Sequence, residues 1–426
     1  MSKTLNKADI EMNEFNTTIT QSREYINNVC VENMSDCGIR KTDELNGLEC
    51  FCSDSPPNNN IEGMVRGHVF YGDKLVFKSS PYPEEVIIKS GEKSGECDEY
   101  ENKNNYKTLN DIDFSNAVCT PLCEGTVIRM FYYGEQWYIT THRKLNAFRS
   151  KWGDDSFGDI FEGSVLNVLG MDLESFKNIL DKEKGYSFLI GTTETTRVVT
   201  DPFVVLYLIG MTDKNGKDIN LYASEKSTLN EMNINQKLID IIIPRIFFNN
   251  QYDLIDFVQE LKYPYEYIIG VYIKTSDNVN LKVINEEYND LSKLRHNLPS
   301  IMFAYLHNVF DEKKNALFRK IYASHKSQFD FYDSEIKEIA VDLYKKYLFK
   351  YVPTYKGFKN NFEELSEQEF NVLKLIHNLY KNTRVNIKLE DVSELLKTVN
   401  VSTINRIISQ RRRARKMLLN NTNNKE

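Results

Sequence analysis

The sequence predicts an α+β fold, with a domain of antiparallel sheets followed by a helical domain. Two observations carry this. From "MVRGHVF" onward, short runs rich in β-branched and aromatic residues recur between polar gaps. After about residue 310 that pattern stops, and amphipathic helical stretches take over.

Taken in order, residues 1–60 are polar and end in "SDSPPNNN", which reads as an N-terminal appendage closed by a linker. "MVRGHVFYGDKLVFKSSPYPEEVIIKS" reads as short strands, and a polar gap follows at 91–112. "TVIRMFYY" and "QWYITT" read as a hairpin turning at Gly134-Glu135. "SFGDIFEGSVLNVLG" and "LESFKNILDKE" have helical spacing of apolar residues. "YSFLIGTTETTRVVT" and "PFVVLYLIGMTD" read as strands, and "YDLIDFVQELK" as a helix. "YEYIIGVYIKTSDNVNLKVI" reads as two strands turning at Asp277-Asn278. Beyond 310, "DSEIKEIAVDLYKKYLFKYV", "SEQEFNVLKLIHNLYKN", "KLEDVSELLKTV" and "VSTINRIISQRRRARKMLL" are helices, with Ser366, Asp391 and Ser402 as expected N-caps. The domains expected are therefore 1–60, 61–310 and 311–426.

The 426 residues are 41% hydrophobic, enough for two or three units. No run of about 18 apolar residues is present to span a membrane. The N-terminus lacks an apolar signal segment, so secretion is not expected. A net charge of -7 argues against a generally basic nucleic-acid coat and leaves room for a local basic surface. All seven cysteines fall in the first 123 residues. "CFC" and "CTPLC" lack the two-residue gap usual for zinc, which favours ordinary reduced thiols.

One stretch concentrates charge where a strand ends. "YITTHRKLNAFRSKWG" carries His142, Arg143, Lys144, Asn146 and Arg149 just past the second hairpin strand. Alone it reads as a nucleophile, a phosphate clamp or a solvated loop.

Several segments, in order, resemble the nucleotidyltransferase domain of ATP-dependent RNA ligases from phages and large DNA viruses. "KLNAFR" resembles the first motif, with Lys144, Asn146 and Arg149. "VRGHVF" resembles the arginine-glycine before a strand, which makes Arg66 face substrate. "YSFLIGTTETTRVV" resembles a third segment, with Arg197. "IIGVYIK" resembles the fourth, with Lys274, and "LKVINEEY" the last, with Lys282. "LRHNLPSIMFAYL" resembles the closing stretch. The match covers roughly residues 61–310 and lies in the order and spacing of motifs that are individually weak. Taken singly, Arg66-Gly67 also reads as a turn, Lys274 and Lys282 as outward strand residues, and Arg197 as half of a surface salt bridge.

The resemblance implies an antiparallel-sheet nucleotidyltransferase core of the ATP-grasp-like ligase type, ATP and Mg2+ as cofactors, RNA as partner and a host-cytoplasmic setting. Lys144 would attack the α-phosphorus of ATP to give lysyl-AMP. Asn146 and the five cations Arg66, Arg149, Arg197, Lys274 and Lys282 would hold the nucleotide. A lysine amine with an ordinary pKa of about 10.4 must lose its proton to attack, and neighbouring cations favour that loss. Lys144, Lys274 and Lys282 are accordingly expected to converge on one cleft.

The departures from the family pattern are specific. Asn146 stands for an aspartate and Ala147 for a glycine. The two glutamates that hold the metal, its waters or the ribose fall on Ile190 or Gly191 and on Ile269. Glu194 and Glu266 lie nearby but out of strand register, and Asp154 and Asp155 read as a turn or a substitute. The tail "QRRRARK" places Arg411, Arg412, Arg413, Arg415 and Lys416 around one helix end, for RNA phosphates or for solvent. Two functions stay open. One is an active ATP-dependent RNA ligase. The other is a catalytically degenerate relative acting as an RNA-binding or structural viral component.

Overall fold

Alternating apolar side chains organise the described strands before residue 290 into three sheets. The computed structural model describes residues 38–53, 65–89, 107–200, 203–222, 234–262, 267–275, 279–352 and 365–423. Cys30, Cys37, Cys97, Glu266 and the turn expected at Asp277-Asn278 lie outside them. The chain divides into two compact units, Met1–Asp290 and Leu291–Glu426. The division precedes the expected 310, because helices already occupy Glu286–Arg295 and Ile301–Asn308.

The strands of the first unit are β1 (Ile39–Leu45), β2 (Leu48–Ser53), β3 (Arg66–Tyr71), β4 (Lys74–Phe77), β5 (Glu84–Ile88), β6 (Val118–Cys123), β7 (Thr126–Tyr133), β8 (Gln136–Thr140), β9 (Gly185–Thr192), β10 (Val204–Thr212), β11 (Asp218–Ile219), β12 (Ile268–Lys274) and β13 (Asn280–Asn285). They form sheets ordered β1-β2-β3-β4, β11-β10-β9-β7-β8 and β5-β13-β12-β6. Every pairing is antiparallel except β13 with β5. With the helical second unit this is the expected α+β class.

The first sheet corrects the expected 1–60 appendage. β1 and β2 are integral, and Cys50, Phe51 and Cys52 are buried. Buried cysteine behaves as a small apolar residue, so "LECFCS" is a core strand in polar company. Its hairpin turns at Asn46-Gly47, both at positive φ (53° and 77°), the conformation a tight two-residue hairpin requires.

The second sheet packs on both faces. Ile128, Met130, Phe188 and Ile190 meet Phe161, Val165 and Phe176 from the helices Phe157–Leu169 and Leu173–Asn178. Ser156 starts the longer of these helices with a capping box to Asp159, and Gly170 ends it at φ 65°. On the opposite face Phe131 stacks between Phe77 and Tyr138, joining this sheet to the first. The expected turn at Gly134-Glu135 is present, with both residues at positive φ.

The third sheet buries Val86, Ile88, Val271, Ile273, Leu281 and Val283 against Leu254, Ile255 and Val258 of the helix Gln251–Glu260. With that apolar face covered, strand alternation leaves Tyr272, Lys274 and Lys282 on the other face.

The second unit is helical, with a core of Leu306, Ile339, Leu343, Leu373, Ile376, Ile404 and Ile407. Ser366 caps the helix Glu367–Thr383 as expected. Two expected caps shift. Asp391 sits inside the helix Leu389–Leu396 and accepts from Lys388 N at 2.7 Å. Asn400, not Ser402, accepts at the start of the last helix, from Ser402 N at 2.8 Å.

Candidate functional site

The Lys144 loop is tightly tied. Thr141 Oγ1 accepts from the backbone N–H of Lys144 at 3.1 Å, and Thr141 N donates to the Lys144 carbonyl at 2.9 Å. Asp43 of β1 then accepts from Leu145 N at 2.9 Å and from Lys144 Nζ at 3.3 Å. Asn146 Oδ1 accepts from Phe148 N at 2.9 Å, capping a short 3-10 turn. Gly158 packs under the Phe148 ring, where a Cβ would come within 2.4 Å of it. Arg149 is exposed. The ion-pair partner of Lys144 is the carboxylate of Asp43. Its side chain is 44% exposed.

Lys274 and Lys282 lie on the third sheet. On the third sheet Lys282 stands opposite Tyr272 and pairs with Glu85 of the parallel neighbour at 3.4 Å. Burial lowers the Lys282 pKa, Glu85 opposes the fall, and the charges of Arg66 and Arg197 add to it. Arg66, Arg197 and Lys282 therefore share one field. Tyr272 extends the group: burial pushes its phenol up to about 12, with Arg66 opposing and Asp218 adding. Asp218 is the partner of Lys274. Lys274 and Lys282 thus share the polar face of the third sheet with Tyr272, and the charges of Arg66 and Arg197 reach Lys282.

Glu124, which sequence reasoning missed, sets the loop that carries Arg197. It is 5% exposed and accepts from the N–H groups of Arg197 (2.7 Å), Val198 (3.0 Å) and Val199 (3.0 Å), and from Tyr288 Oη at 2.9 Å. Its polar position between β6 and β7 carries no periodic signal. The strand expected over "YSFLIGTTETTRVVT" accordingly ends at Thr192, and the remainder is this anchored loop.

The residues at the missing-glutamate positions are structural. Ile190 is fully buried beneath the helix Phe157–Leu169. A Cβ on Gly191 would meet Val205 at 2.7 Å and the Glu124 carbonyl oxygen at 2.9 Å. Ile269 is 8% exposed beside Gly270, whose added Cβ would lie 2.0 Å from the Val283 carbonyl oxygen. Glu194 accepts from Asp155 N at 3.4 Å. No group of three or more His, Cys, Asp or Glu able to hold a metal occurs among the described residues. Cys50, Cys52, Cys119 and Cys123 are buried free thiols.

The basic tail is partly neutralised within its own unit. Arg411 pairs with Glu335 (3.2 Å), Glu338 (3.1 Å) and Asp342, and Arg415 pairs with Glu335 and Glu338 (2.7 Å). The expected all-round RNA surface is reduced to Arg412, Arg413 and Lys416, which are exposed. No helix among the described residues is long and apolar enough to cross a membrane.

Two histidines, His68 buried and His142 half-buried, give the first unit a pH dependence. Burial, with positive neighbours that include Arg129, pushes His68 and His142 down to about 3 from an ordinary 6.5. The folded chain holds both rings neutral while the unfolded chain protonates them near 6.5. Their stabilisation is present above that pH and is lost as pH falls towards 3. Thermal melts should show the first unit weakening steadily from pH 6.5 to 4, and His68→Gln should flatten part of that slope. An unchanged slope in the variant would remove His68 from the account.

No protein-family model matches the chain. It is 32% identical over 406 residues, 88% of this chain and 84% of the relative, to the immediate-early protein ICP-46 homolog of Invertebrate iridescent virus 6. It is 31% identical over 229 residues to the homolog of Invertebrate iridescent virus 3, spanning 53% of this chain and 47% of that protein. Identity to the immediate-early protein ICP-46 of Frog virus 3 is 24% over 194 residues, 41% of this chain and 42% of that protein. Similar solved structures include a putative ATP-dependent DNA ligase from Aquifex aeolicus (12% identity, TM-score 0.38, 71% of this chain and 74% of that one). An archaeal ATP-dependent RNA ligase matches at 11% identity and TM-score 0.37, over 72% of this chain and 78% of that one.

Proposed function

The chain belongs to the family of the immediate-early protein ICP-46 homologs, and on that premise we propose that it binds RNA phosphates without adenylyl transfer. The observation that carries this reading is that the would-be nucleophile pairs with a carboxylate while three cations share one field. Arg66 and Arg197 act on Lys282 through their charges, while Lys144 pairs with Asp43. Cations fixed on a sheet face can neutralise a phosphodiester backbone with no metal. Ligase chemistry would need carboxylates where the structure has buried Ile190 and Ile269.

A second reading, lysyl-AMP formation with ATP, keeps one favourable observation, the partly exposed Lys144 side chain. One experiment separates the two. The full chain is incubated with α-labelled ATP and Mg2+ or Mn2+, run on a denaturing gel, and assayed in parallel for retention of single-stranded RNA. The expected result is retained RNA and no covalent label, with Lys144→Arg indistinguishable from the parent. Label that disappears in Lys144→Arg would establish the ligase reading, and failure to retain RNA would sink the proposal.

A further inference from the structure

Three buried polar groups without hydrogen-bond partners sit together at the edge of the first two sheets. They are Ser53 Oγ, Arg66 Nε and Arg129 Nη1. Ser53 and Arg66 are held side by side, since Ser53 N donates to the carbonyl of Val65 at 2.9 Å and Cys52 stands opposite Arg66. The Arg66 guanidinium lies 4.9 Å from the Tyr82 ring centroid, and the Tyr82 hydroxyl is 3.3 Å from Cys52 Sγ. Arg129 reaches the same place from β7. Its cross-strand partner is Thr140, and His142, two residues on, packs against Gly67, where a Cβ would meet the His142 carbonyl at 2.8 Å.

Arg129 is 3% exposed, and no carboxylate pairs with it among the described residues. Burial, then the Arg66 charge, pull its guanidinium down to about 10. Ser53 Oγ makes no hydrogen bond of normal geometry, although it is near enough to the Tyr82 hydroxyl to oppose the rise in that group's pKa. A buried guanidinium beside a second one, with no anion, is costly, and unpaired buried donors add to the cost. Native chains rarely leave such groups clustered unless a ligand completes them.

We propose that Arg129, Arg66 and Ser53 form a buried oxyanion pocket that receives a terminal phosphoryl group. Two guanidinium groups and a hydroxyl supply donors that match phosphate oxygens. Burial of Arg129 selects a chain end or a free phosphate, since an internal phosphodiester carries chain on both sides. Half-buried Arg66 is the mouth, and it also belongs to the cationic face. The inference thus rests on the RNA-phosphate reading and narrows it to ends.

The test uses the full chain and three probes: inorganic phosphate, a 5′-phosphorylated oligoribonucleotide and the same oligonucleotide with hydroxyl ends. Melting temperature is followed at constant ionic strength set with chloride. Inorganic phosphate should raise the parent's melting temperature. Arg129→Met, which removes the buried charge and keeps the bulk, should melt higher without phosphate and lose the phosphate response. If Arg129→Met does not fold, Ser53→Ala should weaken phosphate binding roughly tenfold.

The phosphorylated oligonucleotide outcompeting the hydroxyl-ended one identifies a terminal phosphate as the natural source, and competition by free phosphate alone identifies a small anion. An equal phosphate response in the parent and Arg129→Met, or no response in the parent, overturns the pocket. RNA retention that survives in Arg129→Met but fails in Arg197→Ala/Lys282→Ala would leave the cationic face standing without the pocket. The converse would leave the pocket without the face.

Discussion

Glu124→Ala should destabilise the first unit by about 4 kcal/mol, because three buried N–H donors lose their acceptor and each orphaned donor costs roughly 1–3 kcal/mol, with partial relaxation. The carboxylate accepts five hydrogen bonds, from Arg197 N, Val198 N (two), Val199 N and Tyr288 Oη. No other element could replace it without a side chain entering from the β6–β7 junction. The loop 193–199 would release, and Arg197 with it. Chemical denaturation should therefore show a large fall in midpoint, and RNA affinity should drop in the same variant. Glu124→Gln keeps part of the acceptor set and should cost about half as much. A shift below about 1 kcal/mol in Glu124→Ala would mean that the loop is held by its own threonines, through Thr195 Oγ1 and Thr196 Oγ1.

Arg411→Ala should cost the helical unit about 3 kcal/mol, the scale for stripping one partner from a buried ion pair. Glu335 is 2% exposed, and Arg411 and Arg415 both neutralise it. Arg415 is the more exposed of the two, with 43% of its side chain open against 18% for Arg411, so it compensates only in part. The double variant Arg411→Met/Glu335→Leu should recover most of the loss, since an apolar pair of similar volume leaves no buried charge. Urea unfolding of the single and double variants measures both. A double variant as unstable as Arg411→Ala would show that the loss comes from missing packing. Deleting residues 411–426 is for the same reason a poor probe of RNA binding, since it removes both partners of a buried carboxylate.

Much of the fold was legible because periodicity and turn chemistry announce it. Gly134-Glu135 turns the β7–β8 hairpin, Ser366 with Glu369 starts its helix, and the Tyr272–Lys274–Lys282 face follows from alternation over an apolar face. The β1–β2 hairpin was missed although Asn46-Gly47 signals it, because its strands carry Lys41, Asp43, Glu44 and Glu49 among the buried cysteines. The division near residue 290 was missed because the helices Glu286–Arg295 and Ile301–Asn308 are short and follow a strand directly. At the site, Arg66, Arg197, Lys274 and Lys282 were singled out from motif order. Asp43, Glu124 and Arg129 were not, since each acts through partners roughly 60–165 positions away. Asn146 and Ile190 carry their explanation only in the fold, one as a cap and the other as core.

The central claim is that Arg197 and Lys282 bind RNA phosphates together on one face. The direct measurement is the salt dependence of single-stranded RNA binding by the parent and by Arg197→Ala/Lys282→Ala. Each phosphate contact on a single strand contributes about 0.7 to the slope of log K against log salt, so the double variant should lose roughly 1.4 from the slope and bind more weakly at every salt concentration. A slope unchanged within about 0.3, with affinity intact, would place the RNA elsewhere and contradict the account.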